Sequence, residues 1–200
     1  ASTWPTPWKE AKVVPVLKGG MQPSCLPSYC PVALIPAISK LVEKVLHRQL
    51  SNHVEHQGLL PPDQHGFRPG RSVDTALATV SARLTSAKER KESQVVFASY
   101  DFTAAFDTVD AKLLMSKMPW LSDSAAALIK SYLSNRSQRV TRNGAVSNRV
   151  PVNFGVPQGS VLGPLLFTIL TSDLPAHLHQ AISGTHRAAI LPCLDADDTS

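Results

Sequence analysis

Apolar side chains recur every three or four positions at Ile38, Leu41, Val42, Val45, Leu46 and Leu50, with Ser39, Lys40, Glu43, Lys44 and Arg48 on the opposite face. That period predicts an amphipathic helix of about five turns, its apolar side turned to a core. A second helix is predicted from about Val73, with Ala76, Leu77, Val80 and Leu84 on one face and the charged run from Lys88 to Glu92 as its solvated end. Before these helices the chain is extended: Trp4, Pro5, Pro7 and Trp8 lead into Val13, Val14, Val16 and Leu17, a short strand. Pro15 lacks an N–H, so this strand is expected at a sheet edge. The many prolines between Met21 and Pro36 predict a loop or an irregular ribbon. Val95, Val96, Phe97 and Tyr100 are strand formers that end at Asp101. Asp110 and Ser122 are placed to cap two further helices, the first carrying Leu113, Leu114 and Met115, the second Ala126, Ile129, Tyr132 and Leu133. Asn143 and Gly144 separate two β-prone segments and predict a hairpin. Val161 to Leu170 reads as a buried helix, and another apolar stretch runs from Ala188 to Leu194. Strands and helices thus mix along the chain, which predicts an α/β fold.

Composition narrows the picture only a little. With 200 residues and 43% hydrophobic content the chain is long and apolar enough for one or two cored domains, which excludes a disordered protein. Lys and Arg outnumber Asp and Glu by 20 to 15, and a pI near 9.3 suits an anionic partner such as nucleic acid. Cys25, Cys30 and Cys193 have no paired ligand spacing, so free thiols, a reducing compartment and no zinc site are expected. No apolar run reaches the roughly 18 residues of a spanning helix, and no secretion signal opens the chain. The expected location is intracellular, nuclear or cytoplasmic.

Candidate chemistry concentrates in the second half. A carboxylate at a strand end, as at Asp101, is held firmly while the loop beyond leaves room for substrate, so it can hold a metal ion. Asp101 and Asp107 can equally be turn or cap residues. A second acidic pair, Asp197 and Asp198, follows the apolar stretch at 188 to 194, and the loop GVPQGSVLGP lies between the two acidic sites. Gly155 and Gly159 let backbone approach a flat ligand closely and Gln158 adds an amide, although a tight structural turn is the plainer reading. Lys18, before the turn at Gly19 and Gly20, can reach a phosphate or remain a solvated lysine. Arg68 and Arg71, on the glycine- and proline-rich segment GLLPPDQHGFRPGRS, can contact a nucleic-acid backbone or be solvated.

The order of these features resembles the motif series of reverse transcriptases, and in particular the non-LTR (LINE-type) retrotransposon class. WKEAKVVPVLKGG, SYCPVALIPAISKLVEKVL, HGFRPGRS, YDFTAAFDTVD, GVPQGSVLGPLLFTI and ADDT fall in family order along nearly the whole chain. The resemblance implies a right-hand polymerase fold, with a fingers-like region over residues 1–95 and a palm-like region over 96–200. It implies RNA-directed DNA polymerisation on an RNA template with a DNA primer and deoxynucleoside triphosphates. Residue by residue, Asp101, Asp197 and Asp198 resemble the catalytic metal-binding aspartates, which would hold two magnesium ions, with manganese as the alternative. Their chemistry is to activate the primer 3′-hydroxyl, orient the triphosphate and stabilise the pyrophosphate. Phe106 resembles the aromatic gate that crowds a ribose 2′-hydroxyl, and is otherwise a core phenylalanine. Gln158 and Gly159 resemble the loop beneath the incoming nucleotide and template base, and Lys18 resembles the fingers lysine on the triphosphate. Asp107 belongs to the family string and is read as structural.

Three departures accompany the match. Asp195 stands where the family usually has tyrosine or phenylalanine, and Cys30 where it usually has a triphosphate-binding arginine. The chain also ends two residues after Asp198, so the strand returning from the catalytic turn, the rest of the palm and the thumb are expected to be absent and the chain to be an inactive fragment. Two other readings stand beside this one. A viral RNA-dependent RNA polymerase shares the aspartates and the glycine-rich loop, but typically has an aspartate where Phe106 stands. A non-catalytic nucleic-acid-binding remnant would bind RNA in a salt-sensitive manner without incorporating nucleotides. The oligomeric state is not legible.

Overall fold

Two prolines meet at the centre of the first strand pair. In a computed structural model of the chain, which describes residues 2–89, 101–102 and 104–182, β1 (Glu10–Leu17) pairs antiparallel with β2 (Tyr29–Leu34), and Pro15 faces Pro31. Neither residue has an N–H to leave unpaired, so the two fit opposite one another. The expectation of a loop across residues 21 to 36 is therefore corrected, since its last third is a strand. So is the expectation that β1 lies at an edge. The sheet order is β2-β1-β3-β4, with β5 (Val150–Val152) also on β3 (Arg136–Arg142). β1 runs parallel to β3 from Glu10 to Val13, and beyond Val13 no described residue pairs with it on that flank, where Pro15 lies. Proline thus marks a local edge within a strand that is otherwise central.

The predicted hairpin forms. β3 turns through Asn143 and Gly144, both at positive φ, into β4 (Ala145–Val146), as a two-residue Asn-Gly turn requires. Since β1 and β2 precede residue 95 and β3 to β5 follow it, the sheet joins the two halves of the chain.

The helices are α1 (Ala37–His56), α2 (Val73–Glu89), α3 (Ala111–Ser116), α4 (Asp123–Leu133), α5 (Gly163–Leu170) and α6 (Leu174–Ile182). Both predicted caps are present: Asp110 accepts from the amides of Lys112 and Leu113, and Ser122 from that of Ala125. The core joins Trp4, Leu50 and Val54 to Leu114, Ile129, Tyr132, Leu162, Leu166 and Phe167, with Trp4 edge-on to Tyr132 at 5.0 Å between centroids. The orientation of α1 corrects its predicted faces. Ser39 and Glu43 are buried, whereas Ile38, Leu41 and Val45 are exposed. The predicted strand before Asp101, the apolar stretch from Ala188 to Leu194, and Cys193, Asp195, Asp197 and Asp198 lie outside the described residues.

Candidate active site

Phe106 sits in a short 3-10 turn (Ala105–Thr108) entered through Ala104, which takes left-handed backbone. This turn is sewn to the start of the glycine loop: the amide of Gly155 donates to the Val109 carbonyl at 2.9 Å, and that of Val156 to the Phe106 carbonyl at 2.8 Å. Gly155 has φ +86, and a Cβ there would come within 2.8 Å of both the Asp107 Cα and the Phe106 oxygen. Only glycine fits so near another backbone in that conformation. The middle of the loop is held from the other side, where the Ala33 amide of β2 donates to the Gln158 carbonyl at 3.0 Å.

Between these anchors lies a cavity of about 200 Å³ lined by Lys18, Cys30, Pro31, Ala104, Phe106, Asp107 and Gln158. Three side chains singled out separately in the sequence, Lys18, Phe106 and Gln158, therefore share one space, although they come from the end of β1, the 3-10 turn and the glycine loop. Lys18 brings a positive charge and Asp107 a negative one. The Gln158 amide donates to the Cys30 Sγ at 3.5 Å, where an arginine would have added a second cation. Phe106 is half-buried, edge-on to Phe167 at 5.8 Å and to Phe67 at 6.2 Å between centroids. It is both a core contact and a cavity wall, so the two readings of this ring are compatible. Gly159, at φ +94, is exposed and follows Gln158 in the loop.

Asp101 is exposed, and so is Phe102, whose ring packs edge-on against Phe167. Among the described residues no three His, Cys, Asp or Glu side chains cluster as a metal site would require. On the segment after α1, Arg68 is engaged by the protein itself. Its Nε and Nη2 donate to the two Glu55 oxygens at 2.7 and 2.8 Å, and its Nη1 to the Pro61 carbonyl at 2.8 Å. A planar fork matched to a carboxylate in this way fixes the loop against α1. The Arg71 guanidinium donates to the Pro62 carbonyl, and its amide to the Arg68 carbonyl at 3.2 Å.

The residue that sequence reasoning passed over is Glu43. Its carboxylate accepts from the Ser39 hydroxyl at 3.1 Å, the Tyr132 hydroxyl at 3.4 Å and the amides of Val161 and Leu162 at 2.8 and 3.3 Å. Burial, and then the Glu43 charge, push the Tyr132 hydroxyl pKa well above its ordinary value, so it stays a donor. Burial lowers the pKa of Arg136 against the opposing pull of Tyr132 and Glu43, and its guanidinium lies 4.9 Å from the Tyr132 ring centroid. The apolar period gives no signal for it, because Glu43 falls among the polar positions of the predicted helix.

A profile of the reverse transcriptase (RNA-dependent DNA polymerase) family matches residues 17–199. The chain belongs to that family. It is 33% identical over 198 residues to the RNA-directed DNA polymerase from mobile element jockey of Drosophila melanogaster, covering 98% of this chain and 21% of that protein. It is 34% identical over 174 residues to the probable RNA-directed DNA polymerase from transposon BS of the same organism, covering 86% of this chain and 19% of the relative. Protein YkfC of Escherichia coli (strain K12) is 32% identical over 124 residues, which cover 62% of this chain and 31% of that protein. The chain spans about a fifth of the length of the two Drosophila relatives. Among the described residues no helix is long and apolar enough to cross a membrane.

Proposed function

We propose that this chain carries the nucleotide-binding part of an RNA-directed DNA polymerase of the non-LTR retrotransposon type. Residues 1–95 form its fingers-like region and 96–200 its palm-like region. The observation that carries this reading is the shared cavity of Lys18, Phe106 and Gln158, a space with one cation for phosphate, one ring for the sugar and one amide for the base pair. Its substrates are deoxynucleoside triphosphates, a DNA primer and an RNA template. In this reading Lys18 neutralises charge on the triphosphate, Phe106 crowds a 2′-hydroxyl, and Gln158 and Gly159 support the nascent base pair. On the segment after α1, Arg71 reaches the nucleic-acid backbone and Arg68 holds the loop that presents it.

Asp101, Asp197 and Asp198 are assigned as the ligands of magnesium or manganese. Carboxylate oxygens suit those hard cations, and the exposed Asp101 leaves its carboxylate open to one. Bound there, the ions would acidify the primer hydroxyl and neutralise developing charge on the leaving pyrophosphate. What this chain's own residues contribute is position: the cavity sets the nucleotide against the turn that follows Asp101.

Titration of the chain with deoxythymidine triphosphate tests the reading. Lys18→Met should weaken binding on the order of tenfold or more, the loss of one charge-assisted contact. In primer extension on an RNA template by a chain extended with a family palm and thumb, Phe106→Val should raise ribonucleotide use. Nucleotide binding unchanged by both Lys18→Met and Gln158→Ala would overturn the assignment.

A further inference from the structure

The 155 to 160 loop is pinned at three places. Its entry is tied to Val109 and Phe106, its middle to Ala33, and its exit to Glu43. The exit tie differs in kind, because it is made by a carboxylate that is 0% exposed and sits in the middle of α1. Burying such a charge is costly unless it is fully hydrogen-bonded. An apolar side chain would pack there at lower cost, but it would leave the amides of Val161 and Leu162 unpaired at the start of α5. Gly163, next in line, is served locally by the Ser160 hydroxyl at 3.0 Å. Glu43 therefore caps, from 118 residues away in sequence, the two amides that the loop cannot serve itself.

We propose that Glu43 is a positioning residue for the nucleotide cavity. Its carboxylate fixes the exit of the loop, and with the Ala33 bond this sets where the Gln158 amide stands beside Lys18 and Phe106. The proposal rests on the cavity being the nucleotide site. Negative charge at the amino end of α5 also favours the helix itself, so the role has to be separated from simple stability.

Glu43→Gln keeps the volume and one oxygen but removes the charge. Amide exchange at Val161, Leu162 and Ser160, whose amide donates to the Pro157 carbonyl within the loop, should quicken roughly tenfold or more, as for loss of bonds to a charged acceptor, and deoxythymidine triphosphate should bind about tenfold more weakly. Val54→Ala, a core change about 16 Å along α1 from Glu43, should lower the melting temperature without moving either readout. If affinity falls in both variants in proportion to lost stability, Glu43 is a stability residue only and the proposal is wrong. Should Glu43→Gln not fold, the wild-type chain decides by reciprocity: saturating nucleotide should slow exchange at Val161 and Leu162, and no slowing overturns the coupling. If the wild-type chain binds no nucleotide, the reading of the cavity falls. The exchange at Ser160 in Glu43→Gln then still tests the clamp, which unchanged protection would refute.

Discussion

α5 and α2 are opposite solutions to making a helix. α5 has eight residues and buries Leu165, Leu166, Phe167, Thr168 and Ile169. Helices of that length are not stable in water by themselves. It is held instead by remote groups: Glu43 at its start, and at its end Lys117, whose Nζ donates to the Leu170 carbonyl at 2.7 Å and also pairs with Asp173. α2 has 17 residues, and among its described side chains only Ala76 is buried. It is anchored by polar contacts at its surface, with Ser72 and Thr75 capping one another reciprocally, Thr75 reaching the His65 ring at 2.8 Å, and Arg83 pairing with Asp63. The lesson is that an apolar period announces a helix without saying whether tertiary structure will bury it.

That contrast is broken most sharply by paired truncations. Leu166→Ala, at a side chain that is 0% exposed, should cost about 2–5 kcal/mol in urea unfolding, whereas Leu77→Ala in α2, 62% exposed, should cost about 0.5 kcal/mol or less. Equal losses would mean that α2 is as deeply packed as α5. Gly155→Ala should come next. The strained φ alone costs roughly 1–3 kcal/mol, and the close backbone of Phe106 and Asp107 adds to it, so the variant should melt earlier and lose nucleotide affinity together.

A smaller effect distinguishes the two arginines ahead of α2. Arg68→Met removes a bidentate, partly buried pair with Glu55 and should cost about 1–2 kcal/mol of stability. Arg71→Met should be nearly neutral in stability, yet weaken RNA binding and reduce its salt slope by about one. The reverse pattern would exchange their roles. The smallest effect lies at the far end of α5. The hydrogen bond from Lys117 holds the Asp173 pKa below 3.8, with burial pulling the other way. A lowered carboxylate pKa contributes stability that is present above the unfolded value and is lost as pH falls through the folded one. Asp173→Asn should therefore flatten the stability profile below about pH 4, by a few tenths of a kcal/mol at this half-exposed site. An unchanged acid limb would show that the contact contributes nothing.

Local rules were read correctly wherever one or two residues decide the backbone. Asp110, Ser122 and the Asn143–Gly144 turn behave as their side chains dictate, because caps and tight turns are satisfied within a few residues. β2 was missed because Pro31 reads as a breaker, and only the register that sets it opposite Pro15 makes it harmless. The cavity residues were legible one by one, through their order along the chain. That Lys18, Phe106 and Gln158 line the same space was not, because their adjacency depends on the Gly155 and Ala33 backbone bonds.

The sequence by itself determined α1 to α5, their two caps and the Asn-Gly hairpin, and to which family the chain belongs, but neither β2 nor α6, since short-range patterns and the order of motifs carry the former and not the latter. Tertiary structure decided which face of α1 turns inward. Counting apolar positions favours Ile38, Leu41 and Val45, yet the helix buries Ser39 and Glu43. The reason is that the amides of Val161 and Leu162 need an acceptor once they are shut away from water, and a carboxylate more than a hundred residues earlier in the chain supplies it.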